Sequence, residues 1–212
     1  MIGVFSGTGA VLHLDVERAL SIAGIKYRRV NDELDLEGID ALIVPGGYTV
    51  DMWEPLYKNR EKIYEFLEGG GRYVGICAGA YLAPDKVILR SGRLPGLGII
   101  DVENTRKSGA ELIEITLLSH SLTRDLPPKI KIWYQNGPHI DPRGAESIAI
   151  FDDGYSAIVK EGNVILFAVH PEGSREAGIE ASPYGLQLLL RALGIGEMGK
   201  EGAMTGKVTA SR

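Results

Sequence analysis

Arg72-Tyr73-Val74-Gly75-Ile76-Cys77-Ala78-Gly79-Ala80-Tyr81 is the stretch on which the reading of this chain turns. An apolar, β-favouring run ends at Cys77, and small residues flank the thiol on both sides. A strand that turns sharply into a helix needs this composition: the residue at the corner is held in strained backbone and faces the solvent edge of the sheet. Gly75 and Gly79 suit the corner because a Cβ is hard to accommodate where two stretches of backbone pass so close. A thiol there sits at a helix N-terminus, whose positive end favours thiolate, the nucleophilic form. A lone cysteine in an apolar run is otherwise a small buried hydrophobe. The Gly-x-Cys-x-Gly bracket is what points to reactivity.

Outward from the elbow, strand-like and helical patterns alternate. Residues 2–6, 26–30 and 41–44 read as strands, and residues 73–76 lead into the elbow. Residues 10–23 read as a helix with Thr8 as a candidate cap and Gly24 as its stop, and residues 53–67 as a second helix ended by three glycines. This alternation predicts an α/β fold, a three-layer arrangement in which a mainly parallel sheet carries helices on both faces. The middle of the chain differs. Residues 97–102, 112–117, 130–134, 147–150, 155–160 and 163–169 read as strands separated by turns such as Asp152-Asp153-Gly154, with no long helix between them. They are expected as β-hairpins inserted into or appended to the parallel sheet. Residues 181–193 read as a closing helix. The expected organisation is one domain over residues 1–193 and a flexible tail over residues 194–212.

Two more strand ends carry candidate chemistry. Val164-Ile165-Leu166-Phe167-Ala168-Val169 runs into His170-Pro171-Glu172. A histidine is the natural base for a thiol, and Glu172 can fold back to fix its tautomer and stabilise the imidazolium. The same tripeptide also suits a strand end followed by a favourable first-turn acid. Ala41-Leu42-Ile43-Val44 runs into Pro45-Gly46-Gly47-Tyr48, an ordinary loop signal that also lets backbone N–H groups turn into a cleft. The amides of Gly47 and Ala78 are the candidate donors for an oxyanion. Ligand sites in open parallel sheets lie beyond the carboxyl ends of the strands, so Gly47, Cys77 and His170 are expected to converge on one edge. Asn136, in Tyr134-Gln135-Asn136-Gly137-Pro138, is a candidate substrate contact or a plain turn residue. Tyr81 and Tyr48 are candidate pocket-lining residues.

Composition excludes several classes. The 212 residues carry a net charge of −5 and one cysteine. There is no basic surplus to suggest nucleic acid or an anionic membrane and no disulfide framework. No apolar run approaches the ~18 residues that span a bilayer, and the first residues pattern as a strand rather than a signal peptide. A reducing, cytoplasmic location is expected. His13, His120, His139 and His170 are scattered, without zinc spacing, and no metal or cofactor is expected.

Pro45-Gly46-Gly47, Gly75-Ile76-Cys77-Ala78-Gly79 and His170-Pro171-Glu172, in this order and spacing, resemble the class I glutamine amidotransferase superfamily. Val4-Phe5-Ser6-Gly7-Thr8-Gly9, Gly69-Gly70-Gly71-Arg72-Tyr73, Gly79-Ala80-Tyr81 and Tyr134-Gln135-Asn136-Gly137-Pro138 are similar to the amidotransferase-like domain at the N-terminus of biotin–protein ligases. The resemblance covers residues 1–193 and implies a flavodoxin-like fold and a Cys77–His170–Glu172 triad. It also implies a small-molecule amide substrate, glutamine by default, with ammonia passed to a partner synthase. Glutamine-hydrolysing members carry Gln where this chain has Tyr81, and a phenol cannot reproduce the paired donor and acceptor of an amide. Free glutamine is therefore expected to be a poor substrate. Two other readings stay open: a cysteine peptidase-like hydrolase, although Ile76 stands where such folds carry an acid, and a non-catalytic binding or regulatory domain.

Overall fold

The computed structural model describes residues 1–196. Its parallel half is built from β1 (Ile2–Phe5), α1 (His13–Ile22), β2 (Tyr27–Val30), β3 (Ala41–Val44), α2 (Thr49–Lys58), α3 (Arg60–Glu68) and β4 (Arg72–Ile76). The elbow follows, then α4 (Ala78–Leu82) and a hairpin of β5 (Lys86–Leu89) and β6 (Gly92–Pro95). Next come β7 (Glu103–Thr105), β8 (Ala110–Leu117), β9 (Lys129–Gln135), β10 (His139–Asp141), β11 (Glu146–Ile150) and β12 (Ser156–Glu161). The chain returns to the centre with β13 (Val164–Phe167) and closes with β14 (Gly173–Ser174), β15 (Ile179–Glu180) and α5 (Pro183–Ala192).

Nine strands run in the order β2-β1-β3-β4-β13-β12-β11-β8-β9, with β10 and β7 branching from β12. β2, β1, β3, β4 and β13 are parallel, and every pairing beyond β13 is antiparallel. The chain steps from β1 to one side for β2 and to the other side for β3 and β4. With right-handed crossovers, the opposite steps put α1 on one face and α2–α3 on the other. β1, β3 and β13 are buried along their whole length, as expected where helices cover both faces. The antiparallel strands curl. The far strand, β9, comes back to the centre, where Trp133 forms an isolated bridge with His170, just past the end of β13.

Several local expectations are corrected. Residues 97–102 form no strand. Leu97, Gly98 and Ile99 donate their amides to Leu82, Pro84 and Ala83, so this backbone is spent on the end of α4 rather than on a ladder. The β5–β6 hairpin was not anticipated. The helix expected over residues 53–67 begins at Thr49 and breaks at Asn59, whose side chain donates to the carbonyls of Pro55 and Asp32. Thr8 does not cap α1. Its amide and hydroxyl both bond Asp32, and α1 starts only at His13. Ile195 packs against the core, so ordered chain continues past residue 193. The rest of the expected tail, residues 197–212, lies outside the described residues. Among the described residues, no helix is long and apolar enough to cross a membrane.

Candidate active site

Cys77 ends β4 and starts α4 with φ 52° and ψ −102°, a backbone conformation that L residues avoid. Surrounding contacts hold it there. The Cys77 amide donates to the Phe167 carbonyl of β13 (2.9 Å), and Gly79 lies against the backbone of Val44 in β3. α4 has only five residues, so it offers little more than the unpaired N–H groups of its first turn, and the dipole effect expected from sequence is small. Cys77 is 8% exposed and lines an open cavity of about 440 Å³.

His170, 2% exposed, follows β13 one strand away. Its amide donates to the Trp133 carbonyl (2.8 Å). Nδ1 lies 2.8 Å from Glu172 Oε1. Nε2 lies 3.3 Å from the Gln135 carbonyl, and the same oxygen accepts from Cys77 Sγ at 3.4 Å. A carbonyl only accepts, and an ionised Glu172 only accepts, so both contacts are satisfied together when both ring nitrogens carry protons. Burial pulls the His170 pKa down. The charge of Glu172, its hydrogen bond to the ring and the neighbouring Cys77 outweigh it, and the net position is well above the ordinary histidine value. Glu172 is buried, and its Oε2 has no hydrogen-bond partner among the described residues, so the imidazolium is the principal compensation for its charge.

The cavity beside the thiol is lined by Gly47, Tyr48 and Asp51 on one side, Ile88 and Arg90 of the hairpin on another, and Tyr81, Arg106 and Asn136. Of the site residues expected from sequence, Gly47, Tyr48, Cys77, Tyr81 and Asn136 line this cavity, while His170 and Glu172 do not line it and Ala78 lies next to Cys77 at the start of α4. Tyr48 is 64% exposed on the rim. Tyr81 is buried, and its hydroxyl donates to the Asn136 carbonyl (3.1 Å). Burial and the adjacent Cys77 push its pKa up to about 12. Asn136 sits at φ 53°; its side-chain oxygen accepts from the Gly109 amide (3.0 Å) and its own amide donates to the Gly109 carbonyl (2.8 Å).

Sequence reading missed three parts of this site. Arg90 and Arg106 stand in polar turns whose charges read as solvated. The Gln135 contribution is a backbone carbonyl, which no residue type announces. Among the described residues, no group of histidine, cysteine and carboxylates could hold a metal ion.

Comparisons with known proteins bear on the fold and the family. Residues 6–107 match the family described as biotin-protein ligase, N terminal, a span that contains the elbow but stops short of His170. The pyridoxal 5'-phosphate synthase subunit PdxT of Moorella thermoacetica is 26% identical, over 85% of this chain and 95% of that protein. PdxT of Deinococcus radiodurans is 30% identical, over 81% of this chain and 89% of its own length. These alignments are too long to be confined to the elbow half. A crystal structure of a glutamine amidotransferase matches the fold with a TM-score of 0.70 at 23% identity, covering 92% of this chain and 99% of that one. With sheet order, elbow and long relatives in agreement, the chain belongs to the class I glutamine amidotransferase-like superfamily.

Proposed function

We propose that this chain is a cysteine-dependent amide hydrolase acting on glutamine or a related amide and supplying ammonia to a separate synthase. One observation carries the reading: the Cys77 thiol and the His170 ring meet on the Gln135 carbonyl, His170 is paired with the buried Glu172, and Cys77 lines a cavity with Gly47 beyond the carboxyl ends of β3 and β4. In the reacting form His170 already holds the thiol proton as the imidazolium, and the thiolate attacks the substrate carbonyl to form a C–S bond. The amides of Gly47 and Ala78 receive the developing oxyanion. The C–N bond breaks as His170 returns the proton to nitrogen, and ammonia leaves. Water, deprotonated by His170, then cleaves the thioester and restores the thiol. Glu172 keeps the ring oriented and balances its charge.

Arg90 and Arg106 suit the carboxylate of an amino-acid amide, and Asp51 suits its ammonium group. Tyr81, Tyr48 and Asn136 line the same space. The synthase partner follows from the relatives, which are named as subunits of pyridoxal 5'-phosphate synthase. A purely binding role leaves the strained thiol corner and the buried His170–Glu172 pair without a purpose.

Ammonia release from glutamine, measured on the full chain and on Cys77→Ala, tests the reading. Slow turnover that vanishes in the variant is expected, because Tyr81 replaces the usual amide. Equal release from both proteins, or none from either with or without a synthase, would refute it.

A further inference from the structure

The hydrogen bonds around Tyr81 and Asn136 point away from the substrate and toward the reacting pair. Tyr81 is on α4, four residues after the thiol. Its hydroxyl donates to the Asn136 carbonyl, and Asn136 is joined to Gly109 by two further bonds, amide to carbonyl and amide to side-chain oxygen. Three segments distant in sequence are thereby clasped together: α4, the turn after β7, and the turn after β9. Gln135 is the residue immediately before Asn136, and its carbonyl is the one in contact with both Cys77 Sγ and His170 Nε2.

The clasp is also packed from below. A Cβ on Gly137 would lie 2.8 Å from the Ala168 carbonyl carbon and closer still to its oxygen, and the Tyr134 hydroxyl donates to the Gly137 carbonyl (2.9 Å). The turn from Gln135 to Gly137 therefore has little freedom to shift while the clasp is closed.

We propose that Tyr81 and Asn136 are positioning residues of the thiol–imidazole pair: their clasp holds the Gln135 carbonyl as a fixed acceptor for the His170 Nε2–H, so that the protonated ring is stabilised by Glu172 on one side and by this backbone oxygen on the other. The proposal rests on the reading of Cys77, His170 and Glu172 as the reacting centre. It gives the phenol at position 81 a task that an amide of different reach would not perform, and it ties substrate-lining loops to the protonation of the base. Opening the clasp lets the carbonyl withdraw, and the imidazolium loses one of its two acceptors.

Titrating the His170 ring signals by NMR in the full chain tests this directly. Tyr81→Phe removes only the hydroxyl. Asn136→Gly removes the side-chain oxygen while suiting the positive φ. Each should lower the His170 titration by about one pH unit, the size of shift expected when one hydrogen bond to a charged group is weakened. The His13 signal on α1 should keep its wild-type position and report an intact fold. Glu172→Gln separates the two readings. If it lowers the His170 titration while both clasp variants leave it unmoved, the clasp has no positioning role and the triad reading stands. If Glu172→Gln leaves it unmoved as well, the His170–Glu172 pairing beneath both readings is wrong.

Discussion

Gly79→Ala should destabilise the protein by about 3 kcal/mol, and the value follows from what a methyl group would meet. A Cβ on Gly79 would lie 2.9 Å from the carbonyl carbon of Val44, nearer still to its oxygen, and 3.1 Å from the Val44 Cβ. These are atoms of a central buried strand, so α4 must move instead. Overpacking of this kind costs about 1–3 kcal/mol. The displacement also pulls the Gly79 carbonyl from the buried hydroxyl of Tyr73, which donates to it at 2.8 Å. Leaving that hydroxyl unsatisfied costs about 1–3 kcal/mol more. Alanine returns roughly 1 kcal/mol through its better helix propensity and lower unfolded-chain entropy. Urea unfolding should show the loss as a lower midpoint at unchanged slope. The mechanism makes a second demand. Tyr73→Phe should itself cost about 1 kcal/mol, and the double variant should lose less than the sum, because moving α4 has already broken the bond. A loss below about 0.5 kcal/mol for Gly79→Ala, or strict additivity with Tyr73→Phe, would show that α4 slides freely on β3.

Two other perturbations probe the corner and the His170 ring. Replacing a buried alanine by glycine ordinarily costs about 1.5 kcal/mol, from one lost methyl and added unfolded-chain entropy. At position 77 glycine also relieves strain of about 1–3 kcal/mol, so Cys77→Gly should be at least as stable as Cys77→Ala by thermal unfolding; the full ordinary penalty would mean the corner is unstrained. The His170 pKa is raised in the folded protein above an unfolded value of about 6.5. The stability its protonation contributes is thus complete below that pH and lost as pH rises through the higher folded value. The stability difference between wild type and Glu172→Gln should accordingly shrink on the alkaline side, and a difference constant from about pH 6 to about pH 10 would contradict the ion pair.

What the sequence announced and what it withheld divide along a physical line. The thiol corner, His170-Pro171-Glu172 and Pro45-Gly46-Gly47 were legible because each is a distinctive side chain or glycine placed at the end of an apolar strand, and the parallel sheet brings such ends together. The alternation of strands and helices over β1 to β4 was legible for the same reason: burial on both faces leaves continuous apolar runs. Residues 97–102 misled because an apolar run with branched side chains looks like a strand whether its amides find a ladder or, as here, the carbonyls at the end of α4. The β5–β6 hairpin, with three of the four β6 residues exposed, carries almost no burial pattern to read. Arg90 and Arg106 could be found only after folding showed which turns face the thiol.

The antiparallel half explains why the site needs more than the parallel core. β4 and β13 suffice to place a thiol beside an imidazole, since Cys77 and His170 follow neighbouring strands and the Cys77 amide is pinned to Phe167. They cannot supply the second acceptor of the ring. That comes from β9, the last strand of the path, which reaches His170 only because the antiparallel strands curl back until Trp133 bridges it. The strands between β4 and β13 in sequence are therefore part of the site's construction: they carry the Gln135 carbonyl around the sheet to the place where Cys77 and His170 meet. A homologue lacking this curl would keep the thiol and the histidine side by side and would have to stabilise the protonated ring in another way.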